Sequence, residues 1–220
     1  MGPAPTDSAP RVPHPAGMLP SSPIALRDGS AVRLRPQRPD DGPRLAEFFA
    51  RLSPHSRYQR FFTGMAPRLP RAVLKALANV DGERHVGVIA ERDGRVVGAA
   101  RYVRSEQTPE VADVAFTVAD ELQGNGLGRR LMRELEAHAA RRGITRFVFD
   151  VLPANDAALA VARSLGAHLR PEAGTLVGTI YIDSGADTPS RPSVRARVRR
   201  VATQRPSRND CRSSVSARST

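Results

Sequence analysis

The run Phe116-Thr-Val-Ala-Asp-Glu-Leu-Gln-Gly-Asn-Gly-Leu-Gly-Arg-Arg130 governs how this chain can fold. An apolar strand ends in a turn with glycines at 124, 126 and 128, and helical periodicity starts at once. Leu127, Leu131, Leu135 and Ala139 recur at every fourth position, which predicts an amphipathic helix over 126–142. Arg130 and Glu134 lie one turn apart on its polar side, and Gly143 stands where a C-terminal cap belongs. Glycines at a strand-to-helix turn let the backbone approach a ligand, and the first helical N–H groups and the helix dipole favour an anion. Arg129 and Arg130 add side-chain charge. The spacing is not the dinucleotide fingerprint: counted from Gly124 its third glycine falls on Arg129, and counted from Gly126 on Leu131. No Gly-Lys-Ser/Thr follows, so it is not a P-loop either.

Outward from this segment the periods alternate. Ala31–Arg35 reads as a strand, and Asp40-Asp41-Gly42-Pro43 starts a helix over roughly 43–52, an acidic residue capping its free N–H groups. A second helix is expected over 70–79. Strands at Val86–Glu91 and Arg95–Val103 flank Asp93-Gly94, a strong hairpin signal. Val111–Val118, Arg146–Val151 and Thr175–Ile182 read as strands, and Asp156–Leu165 as a helix. A meander followed by βαβ order predicts an α/β (α+β) domain with a mixed, mostly antiparallel central sheet of six to seven strands and about four helices.

All ten aromatic residues fall between Phe48 and Tyr181, which brackets a folded domain at 24–183. Residues 1–23 hold seven prolines, and 184–220 are rich in Ser and Arg; both are expected to be disordered. The chain has 34 basic and 22 acidic residues among 220, a net charge of +12. The nine arginines of 184–220, against Asp187 and Asp210, carry +7 of it, and 1–23 are neutral, leaving +5 on the domain. No aromatic residue is interleaved in that basic tail to stack bases, so a nucleic-acid partner is the lesser alternative. One cysteine, Cys211, excludes an internal disulfide framework and a cysteine-based zinc site. No apolar run approaches the ~20 residues of a membrane span, and the N-terminus lacks the pattern of a secretory signal, so a cytoplasmic protein is expected.

The order Gln123-x-x-Gly126-x-Gly128, with its strand before and helix after, resembles the acyl-CoA pyrophosphate loop of the GNAT superfamily of N-acetyltransferases. The resemblance spans about 31–182 and includes Val151-Leu-Pro-Ala-Asn-Asp-Ala-Ala-Leu-Ala-Val-Ala-Arg-Ser-Leu-Gly166, similar to the family's fifth strand and following helix. It implies a GNAT fold, acetyl-CoA as acyl donor and an amine as acceptor, with no metal and no membrane, in a monomer or homodimer. Cofactor contacts are then expected from Phe116, Thr117, Val118, Gln123, Gly124, Asn125, Gly126, Leu127, Gly128, Arg129 and Arg130, and from Asn155 where the acyl-CoA arm passes between splayed strands. Ordinary helix N-capping is the competing role for Asn155.

A narrower likeness rests on Leu26-Arg-Asp-Gly-Ser30, Val32-Arg-Leu-Arg-Pro36 and Leu52-Ser-Pro-His-Ser-Arg-Tyr-Gln-Arg-Phe-Phe62. These look like the acetyltransferase domain of bacterial protein lysine acetyltransferases. The last run is expected to join the first two helices beside the acceptor site, with Tyr58, Phe61 and Phe62 serving the core. A protein lysine or a small amine is the implied acceptor.

Transfer to an amine needs a deprotonated amine, a polarised thioester carbonyl and an exit for the thiolate. On the Val111–Val118 strand, Asp113, Ala115 and Thr117 share one face. Asp113 lies five residues before Val118, roughly 16 Å at ~3.3 Å per residue, within reach of a pantetheine arm anchored at the glycine loop. Related lysine acetyltransferases carry a glutamate base at the matching position, which makes Asp113 the candidate base, with Glu106 and Glu110 as alternatives. Its shorter side chain keeps a non-catalytic acyl-CoA-binding module open as the second reading. No tyrosine lies between Tyr102 and Tyr181, so no general acid is assigned. His55, His85, His138 and His168 form no metal-ligand spacing and read as surface or helix residues.

Overall fold

The computed structural model describes residues 23–182. The expectations for 1–23 and 184–220 therefore lie outside the described residues, Pro23 excepted. Eight strands form one open sheet: β1 (Ile24–Ala25), β2 (Ala31–Pro36), β3 (His85–Arg92), β4 (Arg95–Arg104), β5 (Val111–Val118), β6 (Arg146–Val151), β7 (His168–Glu172) and β8 (Thr175–Tyr181). Their spatial order is β1-β2-β3-β4-β5-β6-β8-β7. Five helices flank it: α1 (Gly42–Arg51), α2 (Pro54–Phe61), α3 (Arg71–Ala78), α4 (Leu127–Ala140) and α5 (Asp156–Ser164). The mixed fold is as expected, with more elements than the periodicity marked.

The β3–β4 hairpin turns where Asp93-Gly94 was read, both residues having positive φ (50° and 73°), as the right-handed twist of a tight hairpin requires. Every neighbouring strand pair is antiparallel except β5 and β6, and this pair fixes the site. They are parallel and matched only at Val111–Arg146, Ala112–Phe147 and Asp113–Val148. Beyond Asp113, β5 stays with β4 as far as Val118–Gly98, while β6 follows β8 as far as Val151–Leu176. The sheet splits into a V whose apex is at Asp113.

One sheet face packs on α4. Gly98 lacks the Cβ that would meet Leu131 Cδ1 at 3.1 Å and Leu127 Cδ2 at 3.2 Å, so the apolar stripe of α4 settles directly onto β4. Buried Tyr102 on this face meets the Nδ1 of His138 through its hydroxyl at 2.8 Å, a helix histidine held neutral by burial (down to about 4). Leu131, Leu135 and Ala139 are fully buried, each leucine contributing about 1.5–3 kcal/mol by burial. The other face carries α1, α2 and α3, and Arg101 donates across it to the Ala76 carbonyl at 2.7 Å.

Four expectations change. β1 and β7 raise the strand number to eight; β7 contains Arg170-Pro171, tolerable on an edge strand where one side of the ladder is unused. The run after Leu52 is itself a helix, α2, with Ser53 as N-cap accepting from Ser56 N at 3.1 Å and Pro54 opening the first turn. Asp41 does not cap α1. A 3-10 turn at Pro39–Asp41 aims its carboxylate back at β2, where it accepts from Arg38 N and both terminal nitrogens of Arg35, in a network with Glu91 and Arg44. Tyr58 is 47% exposed and serves no core, whereas Phe61 stacks on Phe49 at 5.4 Å.

Candidate active site

The V between β5 and β6 opens into a cavity of about 310 Å³. Phe116, Thr117 and Val118 of β5 line one side, and Phe149, Asp150 and Val151 of β6 the other. The glycine loop closes one end with Gln123, Gly124, Gly126, Leu127, Gly128 and Arg129, and α2 covers the opening with Ser56, Gln59 and Arg60. Asn155 also reaches the wall, 9% exposed. Ten of the predicted cofactor residues thus meet on one surface; Asn125 and Arg130 do not line it.

The three glycines work differently from one another. Gly124 (φ +79°) and Gly126 (φ +88°) hold left-handed conformations that a side chain would strain, and these shape the turn. Gly128 is helical; a Cβ there would meet Phe116 Cε2 at 2.9 Å and Val161 Cγ2 at 3.4 Å, so it serves packing of α4 between strand and α5. Gly126 forms the N-terminal boundary of α4 with no side-chain cap, so the first-turn N–H groups of this fourteen-residue helix face the loop.

A cation missed by sequence reading joins them. Arg27 lines the cavity with its Nε 3.8 Å from where a Gly126 Cβ would stand. The turn between β1 and β2 is tied there, Arg27 N donating to the Asn125 carbonyl (3.2 Å) and the Asn125 amide donating to Asp28 (3.0 Å). Asn125 is therefore a tether and not a wall residue. Arg27 lies about a hundred positions from the loop, so no local pattern pointed to it.

A second tie links α2 to the loop. Asp120, in the turn after β5, accepts from Ser53 N (2.9 Å), Ser53 Oγ (2.7 Å) and Ser56 Oγ (2.6 Å). Gln123 Nε2 donates to Ser56 Oγ at 3.1 Å and to the Val118 carbonyl at 3.3 Å. Burial alone would raise the Asp120 carboxyl, but the hydrogen bonds from Ser56 and Ser53 outweigh it and hold it below the ordinary range. Asn155 caps α5, its Oδ1 accepting from Ala158 N at 3.0 Å, and it also lines the cavity.

Asp113 stands at the apex, on the face shared with Ala115 and Thr117, half-buried. Burial, and next the Asp150 carboxylate on β6, push its carboxyl up to about 6. Asp150, a second residue sequence reading missed, lies on the neighbouring strand two positions beyond Val148, the register partner of Asp113. Glu106 is spent on an ion pair with Arg84, and Glu110 precedes β5; neither Glu110 nor Asp113 lines the cavity itself, Asp113 standing next to Val114 and Ala115, which do. Among the described residues no group of three or more His, Cys, Asp or Glu is placed to hold a metal ion, and no helix is long and apolar enough to cross a membrane. The arrangement offers a helix terminus suited to an anion at one end of a slot, and a carboxylate of near-neutral pKa at the apex where its two walls part.

Residues 52–167 match the model of the acetyltransferase (GNAT) family. The chain is 33% identical over 187 residues to "Acetyltransferase Pat" of Mycolicibacterium smegmatis, covering 84% of this chain and 56% of that protein. It is 34% identical over 146 residues to "Acetyltransferase PA5475" of Pseudomonas aeruginosa, covering 64% of this chain and 77% of that protein. Among solved structures, the GNAT domain of S. lividans PAT superposes with a TM-score of 0.70 at 33% identity, over 77% of this chain and 99% of that one. The chain thus spans little more than half the length of the Pat relative.

Proposed function

The chain belongs to the acetyltransferase (GNAT) family, and from that premise we propose that it is an acetyl-CoA-dependent N-acetyltransferase whose acceptor is a primary amine, a protein lysine in the first place. The observation that carries this is the V: a helix terminus suited to an anion closes one end of the slot, and an elevated carboxylate sits at the apex, next in sequence to the lining residues Val114 and Ala115. Acetyl-CoA supplies an activated thioester and an anionic handle.

This chain's residues do the rest. The first N–H groups of α4, with Arg27 and Arg129, hold the pyrophosphate. The edge of β5 that β6 leaves unpaired beyond Asp113 presents backbone groups to the pantetheine arm, and an N–H there polarises the carbonyl. Asp113 takes the proton from the amine, directly or through a water. At about 6 its carboxyl is ionised at neutral pH yet is a stronger base than an ordinary aspartate. The shorter side chain, compared with the glutamate of the related enzymes, favours the water relay. The lysine acceptor is supported by the likeness of Leu26–Ser30 and Leu52–Phe62 to protein lysine acetyltransferases and by the 33% identity to Pat.

The test is a melting curve and a thiol assay on the full chain. Acetyl-CoA is expected to raise the melting temperature, and free thiol to be released only when a lysine peptide or small amine is added. Stabilisation with no thiol release from an amine panel would make the protein an acyl-CoA-binding module, and no stabilisation would remove the donor.

A further inference from the structure

Several arginines near this site are compensated. Arg57, on α2, spends its donors on the carbonyls of Leu52 and Met65, and Arg35 and Arg44 pair with Asp41 and Glu91. Arg60, one turn along α2 from Arg57, makes no hydrogen bond and no ion pair among the described residues; its guanidinium rests 5.2 Å from the Phe61 ring centroid. Arg101 gives one N–H to the Ala76 carbonyl and has no acidic partner among the described residues. The two line one small cavity of about 20 Å³ together with Ala115 and Thr117. Burial, with the Arg101 charge nearby, lowers the Arg60 guanidinium to about 10. Two partly buried like charges lining one cavity repel each other, and an anion between them would relieve that repulsion.

A separate observation points to the same place. The Thr117 hydroxyl is the one buried side-chain polar atom without a hydrogen-bond partner among the described residues, and Thr117 is 7% exposed. Thr117, Ala115 and Arg60 line both the small cavity and the large one, so these residues stand where the two meet. Arg101 is the cross-strand partner of Ala115, two residues along β5 from Asp113 on the same face. The small alanine leaves this floor open, and the anionic handle of the donor belongs to the loop.

We infer that Arg60, Arg101 and Thr117 form a subsite for a carboxylate carried by the amine acceptor, so that the enzyme selects amines that also bear a carboxylate. This rests on the proposed acetyl transfer and adds the acceptor's chemistry. Planar guanidinia match a carboxylate with paired N–H donors, and the hydroxyl supplies a third. The carboxylate belongs either to a small amino acid or to an acidic residue beside an acceptor lysine.

The experiment compares matched acceptors on the full chain with acetyl-CoA: 6-aminohexanoate against 6-aminohexanamide, and a lysine peptide with flanking Glu against the same peptide with Gln. The carboxylate form is expected to show a kcat/KM about tenfold or more higher, as one charge-assisted hydrogen bond supplies. The pair with the larger ratio tells the small-molecule source from the peptide source. The preference should shrink to under about threefold in Arg60→Gln and weaken in the near-isosteric Thr117→Val. Hexanoate should inhibit the unaltered chain competitively with the amine and not with acetyl-CoA, a readout that needs no variant. Equal rates for both members of each pair, with acetyl transfer intact, would overturn the subsite while leaving the acetyltransferase reading. Faster turnover of succinyl-CoA than acetyl-CoA, lost in Arg60→Gln, would assign the arginines to the acyl group and overturn it as well. Absence of turnover with every amine would sink the underlying reading instead.

Discussion

Replacing Asp113 with asparagine separates its chemical role from its cost to the fold. The carboxyl is raised from 3.8 to about 6 by burial first and Asp150 second. Because the folded value lies above the unfolded one, the native state holds the proton more tightly, and stability falls as pH rises from about 4 to about 6. The full step corresponds to about 3 kcal/mol. Partial exposure of the site screens it to about 1–2 kcal/mol. Asp113→Asn cannot ionise, so it should match the parent near pH 4 and melt a few degrees higher at pH 8. Its acetyl-transfer rate should fall by about 10²–10⁴, the usual span for a general base. The parent's kcat/KM should rise with pH through a limb near 6 that the variant lacks. Asp150→Asn should move that limb to lower pH, since the repulsion that raises Asp113 is gone. Melting by calorimetry and initial rates from pH 4.5 to 8 give both readings. A parent profile flat through pH 6, or a variant within about threefold of the parent rate, would refute the assignment of Asp113 as base.

Two further substitutions probe the loop and its support. Gly126→Glu puts a side chain at φ +88° and a negative charge at the start of α4, so stabilisation by acetyl-CoA should disappear; a retained melting shift would show the anion site is elsewhere. Asp120→Ala leaves Ser53 N, Ser53 Oγ and Ser56 Oγ without their acceptor and should destabilise the fold by about 1–3 kcal/mol at pH 7. Since the Asp120 carboxyl is held below its ordinary value, that difference should fade as pH drops through the carboxylate range; urea titrations at pH 7 and pH 3 check it, and an equal loss at both would refute the reasoning.

The glycine loop and the helix after it were legible because each rests on local chemistry. A strand period of two, glycines at 124 and 126, and the Leu127–Ala139 stripe all act within a few residues of one another. The Asp93-Gly94 hairpin was legible for the same reason. Elements governed by neighbours distant in sequence were not: β7 has too weak an alternation to announce an edge strand, and α2 is a short helix with an exposed Tyr58. Asp41 looked like a cap because nothing local shows that a 3-10 turn redirects its carboxylate to Arg35.

From residues alone it follows that one strand hands over to one helix through a glycine-rich turn, and that Asp113 lies a strand's length from it, because backbone periodicity and glycine stereochemistry are short-range. The slot itself arises from assembly. The gap opens just beyond Asp113 because β5 and β6 are held to different neighbours after three matched positions, and ladder hydrogen bonds cannot serve both directions. The same assembly brings Arg27 to the loop, Asp150 to Asp113 and Arg60 to Arg101. The field at a site is a sum over groups near in space, and no spacing along the chain encodes that sum.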